Sequence, residues 1–358
     1  MRTKFVAALF VALTATVTVV AQDAATPKTT NAQFEPRALS KPLADEIKAW
    51  AASATSPQWF GYAVPTSATE RVSYCNGDWN SGCGACRLEG AHEGMTFSTR
   101  DKVNLEGPRN IMVLYRAEAG KIGKIRSFSE ECALDAGGLK FVWLSNVKPA
   151  ESVAFLSTFV GGDFDERGDR CEHGALAAIA LHAGPEADRA MESFVAPKQP
   201  ESLRRQTAFW LGSARGASGL EALKKMAKSD PSSEVRAQVT FALSVSKEPT
   251  AVDEMIRMAH DDESSHVRGQ ALFWLAQKAG KKAASTITGA IDNDPDTEVK
   301  KKAVFALSQM PKDEGVPKLI YVAQNNKNRE VRKQAMFWLG QSNDPRALDF
   351  FEKILLSK

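Results

Sequence analysis

At 358 residues the chain is long enough for two structural units, and 43% hydrophobic with 25% charged residues is the make-up of an ordinary soluble globular protein. The net charge of +3 falls to +1 once Arg2 and Lys4 are set aside with the leader described next, so the composition sets nucleic acid aside as a partner.

The N-terminus has the three parts of a secretory signal: a charged start at Arg2 and Lys4, an apolar run from Phe5 to Val20, and small residues ending at Ala21. The run is shorter than the roughly 20 residues of a spanning helix and carries three threonines. Residues 1–21 are therefore expected to be removed on export to the periplasm or medium, leaving no membrane span. Residues 22–38 are polar and contain proline, and are expected to form a flexible lead-in. Leu43, Ile47 and Trp50 then recur at helical spacing, which predicts one short amphipathic helix over 43–53.

From about 56 to 148 the pattern changes to short apolar runs between turn residues. The predicted strands are 59–64, 71–75, 110–118, 121–129 and 139–146, with turns at Glu118-Ala119-Gly120 and Asp135-Ala136-Gly137-Gly138. This spacing predicts a small, mostly antiparallel β unit, closed by a helix starting at Pro149. The unit is bounded at 39–160, and residues 161–170, with acidic residues at Asp163 and Asp165, read as a linker.

After Cys171 the strand signal stops and a phrase recurs: LRRQTAFWL at 203, VRAQVTFAL at 235, VRGQALFWL at 267, VKKKAVFAL at 299 and VRKQAMFWL at 331. The period is 32 residues, and a degenerate copy at Cys171 brings the count to six predicted helix pairs. The apolar run in each first helix wraps most of its circumference, so it needs neighbours on several sides, which a stacked solenoid supplies. Phe stands six residues after every anchor (209, 241, 273, 305, 337), and the next position alternates as Trp210, Ala242, Trp274, Ala306, Trp338. Large facing small is the rule of interdigitated layers. Asp230, Asp262 and Asp294, followed by Asn326, precede successive anchors by five residues and are expected as helix N-caps. A cation follows each anchor: Arg204, Arg236, Arg268, Lys300 and Arg332. Carboxylate and cation are expected to form a ladder between repeats. The fold class is thus α+β: an all-α array over 171–358 behind a small β unit.

The phrase D-x4-V-R-x2-A-x3-L with a paired second helix resembles the short HEAT-like repeats named after phycobilisome lyases, over about half the chain. The N-terminal part, with CALDAGGLKFVWL at 132–144, resembles that of exported bacterial HEAT-repeat proteins. HEAT-like deoxyhypusine hydroxylases hold two irons through His-Glu pairs on successive repeats. Here only His92-Glu93 has that order, outside the array, so the resemblance implies no such site.

Five cysteines, Cys75, Cys83, Cys86, Cys132 and Cys171, are expected to form disulfides in an exported protein. The expected pairs are Cys75 with Cys83 or Cys86, and Cys132 with Cys171. The alternative is a redox or metal-dependent module built on the Cys75/Cys83/Cys86 loop. No His, Ser or carboxylate spacing marks a catalytic, metal or cofactor site. A glutamine row three residues after the anchors (Gln206, Gln238, Gln270 and Gln334, broken by Lys302) is read either as structural or as part of a binding surface. The expected function is a non-catalytic scaffold that binds a protein or peptide, with the concave face of the second helices as the expected contact.

Overall fold

The computed structural model describes residues 26–67, 75–76, 86–89, 109–161 and 166–356. The leader, Cys83, His92, Asp163, Asp165 and most of the strand expected at 71–75 lie outside them.

Among the described residues eight strands and two helices belong to the N-terminal unit: β1 (Thr29–Thr30), β2 (Gln33–Ala38), α1 (Leu43–Ser53), β3 (Gln58–Pro65), β4 (Cys75–Asn76), β5 (Asn110–Glu118), β6 (Lys121–Ser129), β7 (Leu134–Asp135), β8 (Lys140–Ser145) and α2 (Pro149–Ser157). Six of the strands form one sheet in the order β2-β8-β3-β5-β6-β4, with β3, β5, β6 and β4 antiparallel to their neighbours and β2, β8 and β3 parallel. The β5–β6 hairpin turns through Ala119 and Gly120, both at positive φ (51° and 76°), the mirror-image turn that matches strand twist.

The expected flexible lead-in is corrected from residue 29 onward. Gln33–Ala38 pairs with β8 along its whole length, and β1 pairs with β7. As an edge strand, β2 tolerates Pro36, whose missing N–H would interrupt a central one. Phe34 packs edge-on against Phe141, with ring centroids 5.8 Å apart.

Side-chain alternation along β3, β5 and β8 gives the sheet two buried faces. Phe60, Tyr62, Val113, Tyr115 and Val142 look toward the helices, while Trp59, Met112, Leu114, Phe141 and Trp143 meet Leu88, Leu134 and Ala136 on the other side. A disulfide between Cys86 and Cys132 ties the described cover of the second face together.

Twelve helices follow as six pairs: α3 (Glu166–Leu181) with α4 (Pro185–Phe194), α5 (Glu201–Ala214) with α6 (Gly216–Ser229), α7 (Ser233–Val245) with α8 (Ala251–Asp261), α9 (Ser265–Ala279) with α10 (Lys281–Asn293), α11 (Thr297–Ser308) with α12 (Lys312–Asn325), and α13 (Arg329–Gln341) with α14 (Pro345–Leu356). Helix α3 begins at Glu166, so the second half of the expected linker belongs to the first repeat. Successive first helices pack closely along their lengths, whereas successive second helices meet at few points. Gly212 permits the approach of α5 to α7, because a Cβ there would overlap the Ala242 carbonyl.

The sheet takes the place of a preceding repeat. Helix α3 lies on β6, and at Gly174 any side chain would collide with the Ile125 carbonyl. One hydrophobic core runs from Leu43 through the sheet to Phe350, so the β unit serves as the N-terminal cap that a repeat stack needs.

Candidate binding face of the helical array

The basic ladder is structural. Arg204, Arg236 and Arg268 are buried, and each reaches the aspartate 26 residues ahead through two bonds: Arg204 Nε and Nη2 to Asp230 (2.8 and 3.1 Å), Arg236 to Asp262 (2.9 and 3.1 Å), and Arg268 to Asp294 (2.8 and 3.0 Å). The remaining nitrogen, Nη1, donates to the turn behind, as Arg236 does to Asp230 O at 2.9 Å and Arg268 to Asp262 O at 2.8 Å. Each guanidinium therefore clamps two consecutive turns, with the two parallel bonds that only the planar fork of arginine supplies.

The fourth rung changes at both ends. Lys300 turns its ammonium to Asp292 O (2.8 Å), and Asn326 stands where a carboxylate would. Arg332 keeps the backward bonds to Asn326 O (2.8 Å) and Lys327 O (3.0 Å), with no carboxylate on it among the described residues.

The aspartates are not N-caps, which corrects the sequence expectation. Asp230, Asp262, Asp294 and Asn326 end the preceding helices, and each side chain accepts the backbone N–H two residues on at 2.9 Å. Ser232, Ser264, Asp296 and Asn328 hold the N-cap positions instead. The turn is an Asx turn in which the aspartate Oδ1 accepts both the backbone N–H and the arginine Nη2, while Oδ2 takes Nε.

The expected pairs Cys75–Cys86 and Cys132–Cys171 are also corrected, while Cys75–Cys83 involves a residue outside those described. Cys132 bonds Cys86 rather than Cys171, which is a buried thiol with Sγ 3.8 Å from Ile122 O. Sequence nearness misleads here, because β7 and the segment at 86–89 are brought together by the sheet face that both cover. Cys75 lies in β4, alongside Phe128 of β6. Among the described residues no three His, Cys, Asp or Glu side chains gather to hold a metal ion.

A buried polar chain escaped the sequence reading altogether. His182 Nδ1 donates to Ala178 O (2.6 Å), which leaves Nε2 to accept from Ser152 Oγ (2.8 Å). Ser152 then accepts from Tyr62 (2.7 Å), and Tyr62 from Tyr115 (2.8 Å). Burial lowers the His182 pKa to about 4, helped by the nearby Arg215 guanidinium, and raises both tyrosines above their ordinary value. The Ser–His pair is enclosed in the core without a carboxylate behind it, and it ties β3, β5 and α2 to α3. Arg215 extends the tie by donating to Ala180 O (3.2 Å), His182 O and Asp188 (2.6 Å). No repeat period marks either residue, so the sequence offers no signal for them.

What remains is the outer face of the first helices, where two rows run side by side. Phe and Trp rings form a continuous ladder. Trp210 meets Phe209 (5.2 Å between centroids), Phe209 stacks on Phe241 (6.0 Å), Phe241 meets Trp274 (4.7 Å), and Trp274 meets Phe273 (4.8 Å). Phe273 stacks on Phe305 (5.8 Å), Phe305 meets Trp338 (4.8 Å), and Trp338 meets Phe337 (5.0 Å). Trp274 and Trp338 each lean over the Phe of the preceding layer, whereas Trp210 meets the Phe of its own helix. Trp210, Trp274 and Trp338 also pack against the hydrophobic core from its edge. The rings from 209 to 305 are half-buried, and Phe337 is 54% exposed.

Gln206, Gln238, Gln270 and Gln334 stand one turn before the Phe row on the same face, all half-exposed. Among the described residues none of the four finds a hydrogen-bond partner, and Gln206 Oε1 is a buried acceptor without one. The arginine and glutamine rows, equally regular in sequence, therefore separate: one is used up inside the fold and the other is not.

Residues 192–276 and 284–358 match the family model for HEAT repeats. The helical array belongs to the HEAT-repeat family. Among solved structures, this chain is similar to human deoxyhypusine hydroxylase in complex with glycerol (14% identity, TM-score 0.29, 58% of this chain and 91% of that one). It is also similar to the complex of CpcE and CpcF of phycocyanin lyase from Nostoc sp. PCC7120 (17% identity, TM-score 0.32, 57% of this chain and 80% of that one). Neither likeness brings a site to the HEAT-repeat face described here. No curated protein matches the chain.

Proposed function

We propose that this protein is an exported, non-catalytic scaffold whose HEAT-repeat array binds a protein partner along the outer face of its first helices. The observation that carries the reading is the row of four glutamine amides without partners among the described residues, beside a partly exposed ladder of eight rings. Polar groups free at one register in successive layers, next to apolar surface, suit a ligand that also repeats. This moves the contact away from the second helices, where the sequence suggests it. Export rests on the leader at 1–21 and agrees with a disulfide at Cys86–Cys132.

The test is retention from an envelope extract by three immobilised proteins: the unaltered chain, the pair Gln238→Ala/Gln270→Ala, and Lys225→Ala on the second-helix row. A protein held by the first and third and lost from the second is expected. Equal retention by all three, or loss only with Lys225→Ala, would overturn the assignment of the face. Mass mapping of the mature N-terminus is expected to begin at Gln22, and a chain still beginning at Met1 contradicts export.

A further inference from the structure

We infer that the cavity where the C-terminal ends of α11 and α13 meet α12 binds a primary alkylammonium, the chemistry shared by a polyamine and a lysine side chain. The inference goes beyond the scaffold reading and stands or falls separately from it.

The array holds such an ammonium two layers earlier. At the C-terminus of α7, Lys278 reaches over from α9, and its Nζ donates to Ser244 O (2.7 Å) and Ser246 O. The end of a helix leaves such carbonyls without internal donors, at the pole of its dipole that favours a cation. Two periods of 32 residues further on, the positions of Ser244, Ser246 and Lys278 are taken by Ser308, Met310 and Ser342. The lysine has become a serine, and among the described residues no donor reaches Ser308 O or Met310 O. At this register lies a cavity of about 220 Å³ lined by Ser308, Met310, Val316, Leu319, Trp338 and Ser342. Val316, Leu319 and Trp338 repeat the positions of Val252, Met255 and Trp274, so the apolar walls are alike in the two layers and the ammonium is what differs.

The groups around the cavity suit an ammonium on a short apolar stem. Two carbonyls accept its N–H bonds, Met310, Val316 and Leu319 offer apolar surface to the stem, and Trp338 adds an aromatic surface that favours a cation. Trp338 Nε1 is itself a buried donor with no acceptor among the described residues, so the wall is unsatisfied on that side as well. Lys312, at the register of Glu248, also borders the cavity. It lies close enough to Asp344 to help Arg346 hold that carboxyl at a pKa of about 2, and the carboxylate offsets part of its charge. A carboxylate or phosphate would instead meet two carbonyl oxygens and the negative end of the α11 dipole.

The experiment is titration of the folded protein with n-butylamine, which is the lysine side chain from Cβ outward, against n-butanol and butyrate. Binding is read by magnetic resonance of the Trp338 indole N–H. Butylammonium is expected to saturate in the millimolar range that so small a ligand allows, with the alcohol at least about tenfold weaker and butyrate without effect. Ser342→Lys places the chain's own ammonium at the register of Lys278, and is expected to abolish binding and raise the melting temperature. Lys278→Ser, confirmed as folded by circular dichroism, is expected to open the equivalent site and bind a second equivalent of amine. Lys312→Ala is expected to strengthen binding by about twofold to tenfold through loss of a like charge. The two sources are separated by 1,4-diaminobutane and N-acetyl-lysine methylamide: whichever binds as tightly as n-butylamine names the source, and failure of both overturns the inference. Absence of saturable butylammonium binding, equal binding of the alcohol or of butyrate, or undiminished binding to Ser342→Lys would each overturn it too.

Discussion

Removing Asp262 tests whether the guanidinium clamps hold the repeats together. Its carboxylate takes two bonds from Arg236 at 2.9 and 3.1 Å, with both side chains under a tenth exposed, and a third from the Ser264 N–H at 2.9 Å. Stripping one partner from a buried ion pair costs about 3–5 kcal/mol, because the other charge is left without compensation. Here the loss is moderated by Glu263, which lies 3.1 Å from Arg236 Nη2 at an exposed position. Asp262→Ala is therefore expected to cost about 3 kcal/mol. Asp262→Asn keeps the turn, as Asn326 does with the Asn328 N–H at 2.9 Å, and is expected to cost about 2 kcal/mol. The chain contains its own control in the Lys300/Asn326 rung, where the arginine and the aspartate have changed together. Arg236→Lys with Asp262→Asn should accordingly cost about 1–2 kcal/mol less than the sum of the two single changes. Urea unfolding followed by far-UV circular dichroism measures the four variants against the parent, and hydrogen exchange should place the loosening at α7 and α9. Single substitutions within about 0.5 kcal/mol of the parent, or strictly additive costs, would refute the clamp.

Two further outcomes follow from the packing. His182 has a folded-state pKa of about 4 against an unfolded value near 6.5, so the unfolded chain binds more protons between those values. Stability from the neutral ring is complete above about pH 6.5 and lost as pH falls toward 4, by about 3 kcal/mol in all; a melting curve no steeper across that window than that of His182→Gln would contradict it. Gly212 and Gly340 occupy the same register, yet a methyl at 212 meets the Ala242 carbonyl while one at 340 meets nothing within 4 Å. Gly212→Ala should cost about 1–3 kcal/mol and Gly340→Ala should be neutral or stabilising, and thermal melts that order them the other way would refute the close approach of α5 to α7.

Periodicity made the array legible. A fixed register of Phe, Leu and Val positions reports which sides of a helix must be covered, and the six pairs follow from it. The strands at 58–65, 110–118, 121–129 and 140–145 were equally readable, because alternation along a half-buried strand is a local signal. Gln33–Ala38 was not, since an edge strand needs few apolar residues and its partner lies more than 100 residues away. The N-cap error has a simple cause: Asp230 and Ser232 are both competent caps two residues apart, and the choice is made by Arg204, which draws the aspartate into the ladder. At the candidate face the sequence showed two polar rows of equal regularity. Only the three-dimensional partners revealed that the arginines were spent inside the fold and the glutamines were not.

The most direct test of the binding face is site-specific photo-crosslinking in the producing cell, with the photoreactive residue at Gln238 on the first-helix row or at Lys225 on the second. The account predicts a discrete protein adduct from position 238 and none from position 225. Adducts from 225 alone, or none from 238 while the protein is folded and present, would contradict it.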